Sequence, residues 1–160
     1  MKMKKWFGLL FLGLALMTLA ACGQKTPEEI IKTELKDSYT GYSEDPGSDY
    51  PFNDGDDILT FNKKDNSITN SQGQMTYFSV VPKEEVPAGT QRVIDELETK
   101  LKGTNNFTII INSTVKNPTK KDSEGAYQIA LSDGGKAIRI FELGREPRSF
   151  GYYDFSGKAK

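Results

Sequence analysis

From Asp37 onward the chain alternates apolar and polar residues in short runs, broken by clusters of Gly, Pro, Asn and Asp. Period-two alternation over such lengths predicts β-strands with one buried face. The first run is DSYTGY, from Asp37 to Tyr42, and SEDPGSDYPFNDGDD, from Ser43 to Asp57, reads as an irregular loop after it. DILTF, SITN and MTYFSVV follow, joined by the turns NKKDN and SQGQ. In MTYFSVV both faces are apolar, with Met75, Tyr77 and Val81 on one and Phe78 and Val80 on the other. That pattern predicts a strand covered on both sides. NNFTIIINSTV is rich in β-branched residues, and AYQIALS and KAIRIFEL are joined by DGG, a strong hairpin signal. RSFGYYDF supplies a last strand.

Two segments switch to helical spacing. In TPEEIIKTELKD, Thr26 is a good N-cap, Pro27 suits the first helical position and Glu29 completes a capping box. Ile30, Ile31 and Leu35 give it a narrow apolar stripe. TQRVIDELETKLKG is the clearer helix, spanning Thr90 to Lys102, capped by Thr90 and stopped by Gly103. Its Val93, Ile94, Leu97 and Leu101 share one face, which predicts packing against the sheet.

The N-terminus follows a different logic. Lys2, Lys4 and Lys5 precede an apolar run from Trp6 to Leu19, and small residues follow at Ala20 and Ala21. The run is shorter than the roughly 20 residues of a membrane-spanning helix. Basic start, short apolar middle and small-residue end are the parts of a secretory signal peptide. Leu19-Ala20-Ala21-Cys22 resembles the lipobox of bacterial lipoprotein precursors. The resemblance implies that a signal peptidase recognises Leu19, Ala20 and Ala21 and cuts before Cys22. It also implies that Cys22 carries a diacylglyceryl group, with acyl chains such as palmitate. The expected division is a signal peptide at 1–21, a lipidated N-terminus and short tether at 22–25, and one extracytoplasmic domain at 26–160. The expected location, reached through the general export route, is the outer face of the bacterial cytoplasmic membrane, with membrane lipid as a partner through Cys22.

Composition sharpens this picture by exclusion. Cys22 is the single cysteine, so no intramolecular disulfide and no cysteine metal site forms. Histidine is absent, which removes serine triads and imidazole-ligated zinc. Taking Lys2, Lys4 and Lys5 from the 21 basic residues leaves 18 against 22 acidic ones, so the processed chain carries −4. With no basic stripe, nucleic acid is not an expected partner.

Counting the first run gives eight strands, nearly all joined by short turns, which suggests an antiparallel up-and-down barrel. The spacing is similar to small lipocalin-like (calycin) proteins of bacteria, with Tyr39 standing where that family has its first-strand tryptophan. The expected fold is therefore mainly β with two helices, as an antiparallel eight-stranded lipocalin-like barrel. The alternative is an α+β fold, a curved antiparallel sheet packed on one helix. A barrel of this size can hold one small ligand, and Tyr39, Tyr77, Tyr127 and Phe141 are candidate lining residues. The acidic loop offers Asp54, Asp56 and Asp57 as candidate calcium ligands, although its spacing does not fit an EF-hand. No cofactor is expected, and no metal site beyond that candidate. The chain reads as non-enzymatic, binding a small ligand in its barrel or acting through its surface on another envelope protein.

Overall fold

The alternation is realised as eight antiparallel strands that pair in sequence order and close on themselves, β1 joining β8. A computed structural model describes residues 25–144 and 151–160. The predicted signal peptide, the lipobox with Cys22, and the Arg148 to Phe150 part of the predicted last strand lie outside the described residues. The strands are β1 (Ser38–Ser43), β2 (Gly55–Asn62), β3 (Ser67–Thr69), β4 (Met75–Val81), β5 (Asn105–Asn112), β6 (Gly125–Ser132), β7 (Ala137–Glu142) and β8 (Asp154–Ala159). The helices are α1 (Pro27–Thr33), α2 (Ala88–Glu96) and α3 (Glu98–Leu101). The lipocalin-like barrel is thus the architecture, rather than an open sheet on a helix.

Closure depends on two glycines. Gly41 of β1 faces Gly157 of β8 in the register, and a Cβ at Gly41 would sit 2.5 Å from the Gly157 Cα and 2.6 Å from the Phe155 ring. Only hydrogen fits where the two strands meet and Phe155 fills the space between them.

Inward positions form one cluster with members from all eight strands, among them Leu59, Phe61, Ile68, Phe78, Ile109, Ile129, Ile140 and Phe155. Helix α1 stoppers the barrel where β1 begins, burying Ile30, with Leu35 buried just beyond its C-terminus. Its predicted cap is present: the Thr26 hydroxyl accepts from the Glu29 N–H at 3.3 Å. The buried Tyr39 hydroxyl donates to the Gly135 carbonyl at 2.6 Å and accepts from the Lys36 N–H at 2.9 Å. This ties β1 to the β6–β7 turn below α1. The opposite mouth is filled by Phe52 from the β1–β2 loop, 4.3 Å from the Tyr127 ring and 5.1 Å from Tyr153.

Three expectations need correction. The helix of Thr90 to Lys102 is two helices, with a break at Leu97 where ψ is 6°. It starts at Ala88, because Pro87 has its φ set near −57° and its carbonyl accepts from the Gln91 N–H at 2.9 Å. Nor is its apolar face sealed. Leu101 alone is buried, at its margin, while Ile94 and Leu97 are partly covered against Ala130 and Phe141 on the outer wall. The last strand also sits later than RSFGYYDF, running from Asp154 to Ala159.

Candidate functional site

The break at Leu97 and the position of α2 outside the barrel create a concavity on the outer wall. It is a groove of about 880 Å³ between α2–α3 and the outer face of β7, β8 and the end of β1. Strand alternation decides its chemistry. In β7, Ile138 and Ile140 turn inward, so Arg139 and Phe141 turn outward beneath the helix. Asp154 of β8 lies opposite Phe141 in the register and therefore on the same outer face.

These neighbours form an electrostatic cluster. The Arg139 Nη2 donates to both Asp154 carboxylate oxygens, at 2.8 and 2.9 Å. Lys100 of α3 reaches the same carboxylate at 3.2 Å. The guanidinium lies 4.7 Å from the Phe141 ring centre, within cation–π range. The Arg139 side chain is 37% exposed, yet its Nε is buried and has no hydrogen-bond partner among the described residues. Arg92 of α2, exposed, projects from the helix that forms the other wall. Tyr42, 52% exposed, and Tyr152 add aromatic surface at one end.

The predicted lining residues do not share a space. Tyr39 and Tyr127 are buried inside the barrel, near opposite ends. Tyr77 is half-buried and points outward, with the Lys116 ammonium 6.0 Å from its ring. Phe141 is buried on the outer wall and is the one of the four that lines the groove.

The acidic loop also divides. Asp54 and Asp56 are exposed, whereas Asp57 is buried in the barrel wall. One Asp57 oxygen accepts from the Ile58 N–H, the Ser71 N–H and the Ser71 hydroxyl, at 2.8, 3.0 and 2.7 Å. It is thereby committed to holding the β3–β4 turn. Among the described residues no group of three or more His, Cys, Asp or Glu is arranged to hold a metal ion.

Near the filled mouth, burial pushes the Tyr153 hydroxyl well above its ordinary range, and the nearby Asp57 charge adds to this. Among the described residues that hydroxyl has no hydrogen-bond partner. It stays protonated at any physiological pH and is no candidate base.

Sequence reasoning missed Arg92, Arg139, Asp154 and Tyr152. One signal for Arg139 was present: in KAIRIFE the arginine and Phe141 share a face, and a buried-type aromatic beside a cation marks a covered outer wall. Comparison with protein-family models, with curated proteins and with solved structures returns no match to this chain.

Proposed function

We propose that this chain is a lipid-anchored, non-enzymatic binding protein of the outer face of a bacterial cytoplasmic membrane, and that its ligand sits in the groove beside α2. The barrel is then a scaffold. The observation that carries this reading is the contrast between the two spaces. Inward side chains of all eight strands pack together, with α1 and Phe52 at the two mouths, while the groove holds about 880 Å³, within the size range of small-molecule sites. The exposed guanidinium of Arg92 suits a hydrogen-bond-accepting group such as a carboxylate or phosphate. Val93, Leu97 and Phe141 suit an apolar body attached to it.

Two measurements test this. Cys22→Ala, followed by cell fractionation and mass measurement, should leave the precursor uncut and without acyl mass. An unmodified wild type would end the anchoring half of the reading. For the groove, a small-molecule fragment library is screened by amide chemical shifts. Hits should move Arg92, Phe141 and Asp154. Hits that instead move Tyr39, Ile109 and Ile129 would place binding inside the barrel.

A second reading has its own observation. Tyr42 near the end of β1 and Tyr50 within the acidic β1–β2 loop are 52% and 63% exposed. Exposed aromatics of this kind favour a protein partner, as expected of a lipoprotein acting on another envelope protein.

A further inference from the structure

We infer that the barrel stands end-on to the bilayer, with its α1 end against anionic phospholipid headgroups and its β1–β2 loop pointing away. The inference rests on the proposed anchoring at Cys22, and three independent features lead to it.

The first is where the chain emerges. Lys25 is held at the α1 end by a 2.7 Å ion pair with Glu34, and Glu34 is fixed by the Asn105 amide, 2.9 Å from each of its oxygens. The β6–β7 turn presses on the same spot: a Cβ at Gly135 would overlap the Glu34 carbonyl. Only Gly23 and Gln24 separate Lys25 from a lipid on Cys22, three chain steps with a reach of about 10 Å when fully extended. This is close to the distance of roughly 8–10 Å over which salt screens exposed charges. The α1 end therefore never leaves the range of the headgroup potential.

The second is charge. Exposed Lys63 and Lys64 of the β2–β3 turn, Lys136 of the β6–β7 turn, Lys158 and Lys160 at the chain end and Lys32 of α1 all belong to this end. Glu28, Glu29, Asp37, Asp65 and Asp133 offset all but one of these six lysines. The opposite end carries Glu44, Asp45, Asp49, Asp54 and Asp56 in and beside the β1–β2 loop, and Asp122 and Glu124 against Lys116, Lys120 and Lys121 in the β5–β6 loop, so acids prevail there by four. An anionic surface attracts the first end and repels the second.

The third is that the flank from the turn after β4 through α2 and α3 offers an anionic surface no net attraction. Glu84, Glu85, Asp95, Glu96 and Glu98 are exposed there, and they outnumber Lys83, Arg92, Lys100 and Lys102. End-on standing also leaves the groove mouth near Tyr42 and Tyr152 directed away from the lipid.

The test uses the mature chain's lack of tryptophan, since Trp6 is the only one and lies in the signal peptide. The lipoprotein is purified from membranes and reconstituted into phosphatidylcholine vesicles with and without phosphatidylglycerol. A tryptophan is placed by Thr33→Trp at the α1 end or by Gln72→Trp in the β3–β4 turn. A spin label on lipid headgroups should quench the first at least threefold more than the second when phosphatidylglycerol is present. Omitting that lipid, or the combined Lys63→Glu, Lys64→Glu and Lys158→Glu variant, should reduce the difference by half or more while vesicle flotation stays unchanged. Equal quenching at both sites, or a difference indifferent to phosphatidylglycerol, overturns the inference. Mass measurement of the N-terminus separately reports whether Cys22 is acylated. If it is not, a chain starting at Cys22 is coupled through its single thiol to a maleimide lipid, and the same quenching decides the orientation.

Discussion

Helices α1 and α2 contrast in every respect that bears on stability. Helix α1 has a side-chain N-cap and buries Ile30 inside one end of the barrel, with Leu35 buried beside it. Helix α2 has no side-chain cap and no buried residue, and lies on the outer wall. By sequence, the ranking runs the other way, since the α2–α3 segment shows the longer and more continuous apolar stripe. Amphipathicity reports that a helix has a face to cover, not how deeply that face is sunk. A short helix over an open mouth seals more apolar surface than a longer one laid on a wall that strands already close.

The contrast can be broken by substitution, and the largest effect is expected at Leu35. Leu35→Ala should cost about 2–5 kcal/mol in urea unfolding, the usual range for a buried leucine. A loss under 1 kcal/mol would mean that α1 is no stopper. Gly135→Ala comes next, with φ at +87° and a Cβ that would meet the Glu34 carbonyl. A loss of roughly 2–3 kcal/mol is expected from the combined overpacking and left-handed backbone, seen as a lowered melting temperature. Tyr39→Phe strands a buried carbonyl and N–H and should cost about 1–3 kcal/mol. Leu97→Ala, on the half-covered helix, should cost only about 1 kcal/mol. A loss matching that of Leu35→Ala would overturn the ranking of the two helices.

The smallest effect separates the ends by pH. The hydrogen bond and charge of Lys25, with help from the Asn105 amide, hold the Glu34 carboxyl below its ordinary range despite its burial. A depressed folded value stabilises the fold above the unfolded value of about 4.3 and ceases to do so as pH falls through the folded one. Stability measured from pH 6 down to pH 3 should therefore drop more steeply in the wild type than in Lys25→Met. At neutral pH the substitution should cost no more than about 1 kcal/mol, because the lysine is half-exposed. Parallel pH curves would show that the pair contributes nothing.

Strand order and barrel closure were legible because they follow from local pattern. Alternation sets which residues face inward, short turns force neighbouring strands to pair antiparallel, and eight such strands suffice to close. DGG was legible as a hairpin, and its Asp133, Gly134 and Gly135 all have positive φ. The last strand was misplaced because FGYYDF and DFSGKA share residues, and only pairing with β1 through Gly157 and Gly41 selects the later register. The groove was not legible at all. Its walls come from residues far apart in the chain, Tyr42, Arg92, Arg139 and Asp154, and no spacing rule connects them.

What the sequence by itself determined is the number and order of the strands, the capped start of α1 and the absence of histidine and of any cysteine beyond Cys22. These are one-dimensional properties, fixed by side-chain period, turn chemistry and composition. The tertiary structure alone decided that aromatics fill the barrel, that Asp57 is spent on a turn, and that Arg139 and Asp154 face a groove under a broken helix. Each of these depends on which distant residues come within a few ångströms of one another. Van der Waals contact and hydrogen bonding act at that range, and a period along the chain does not encode it.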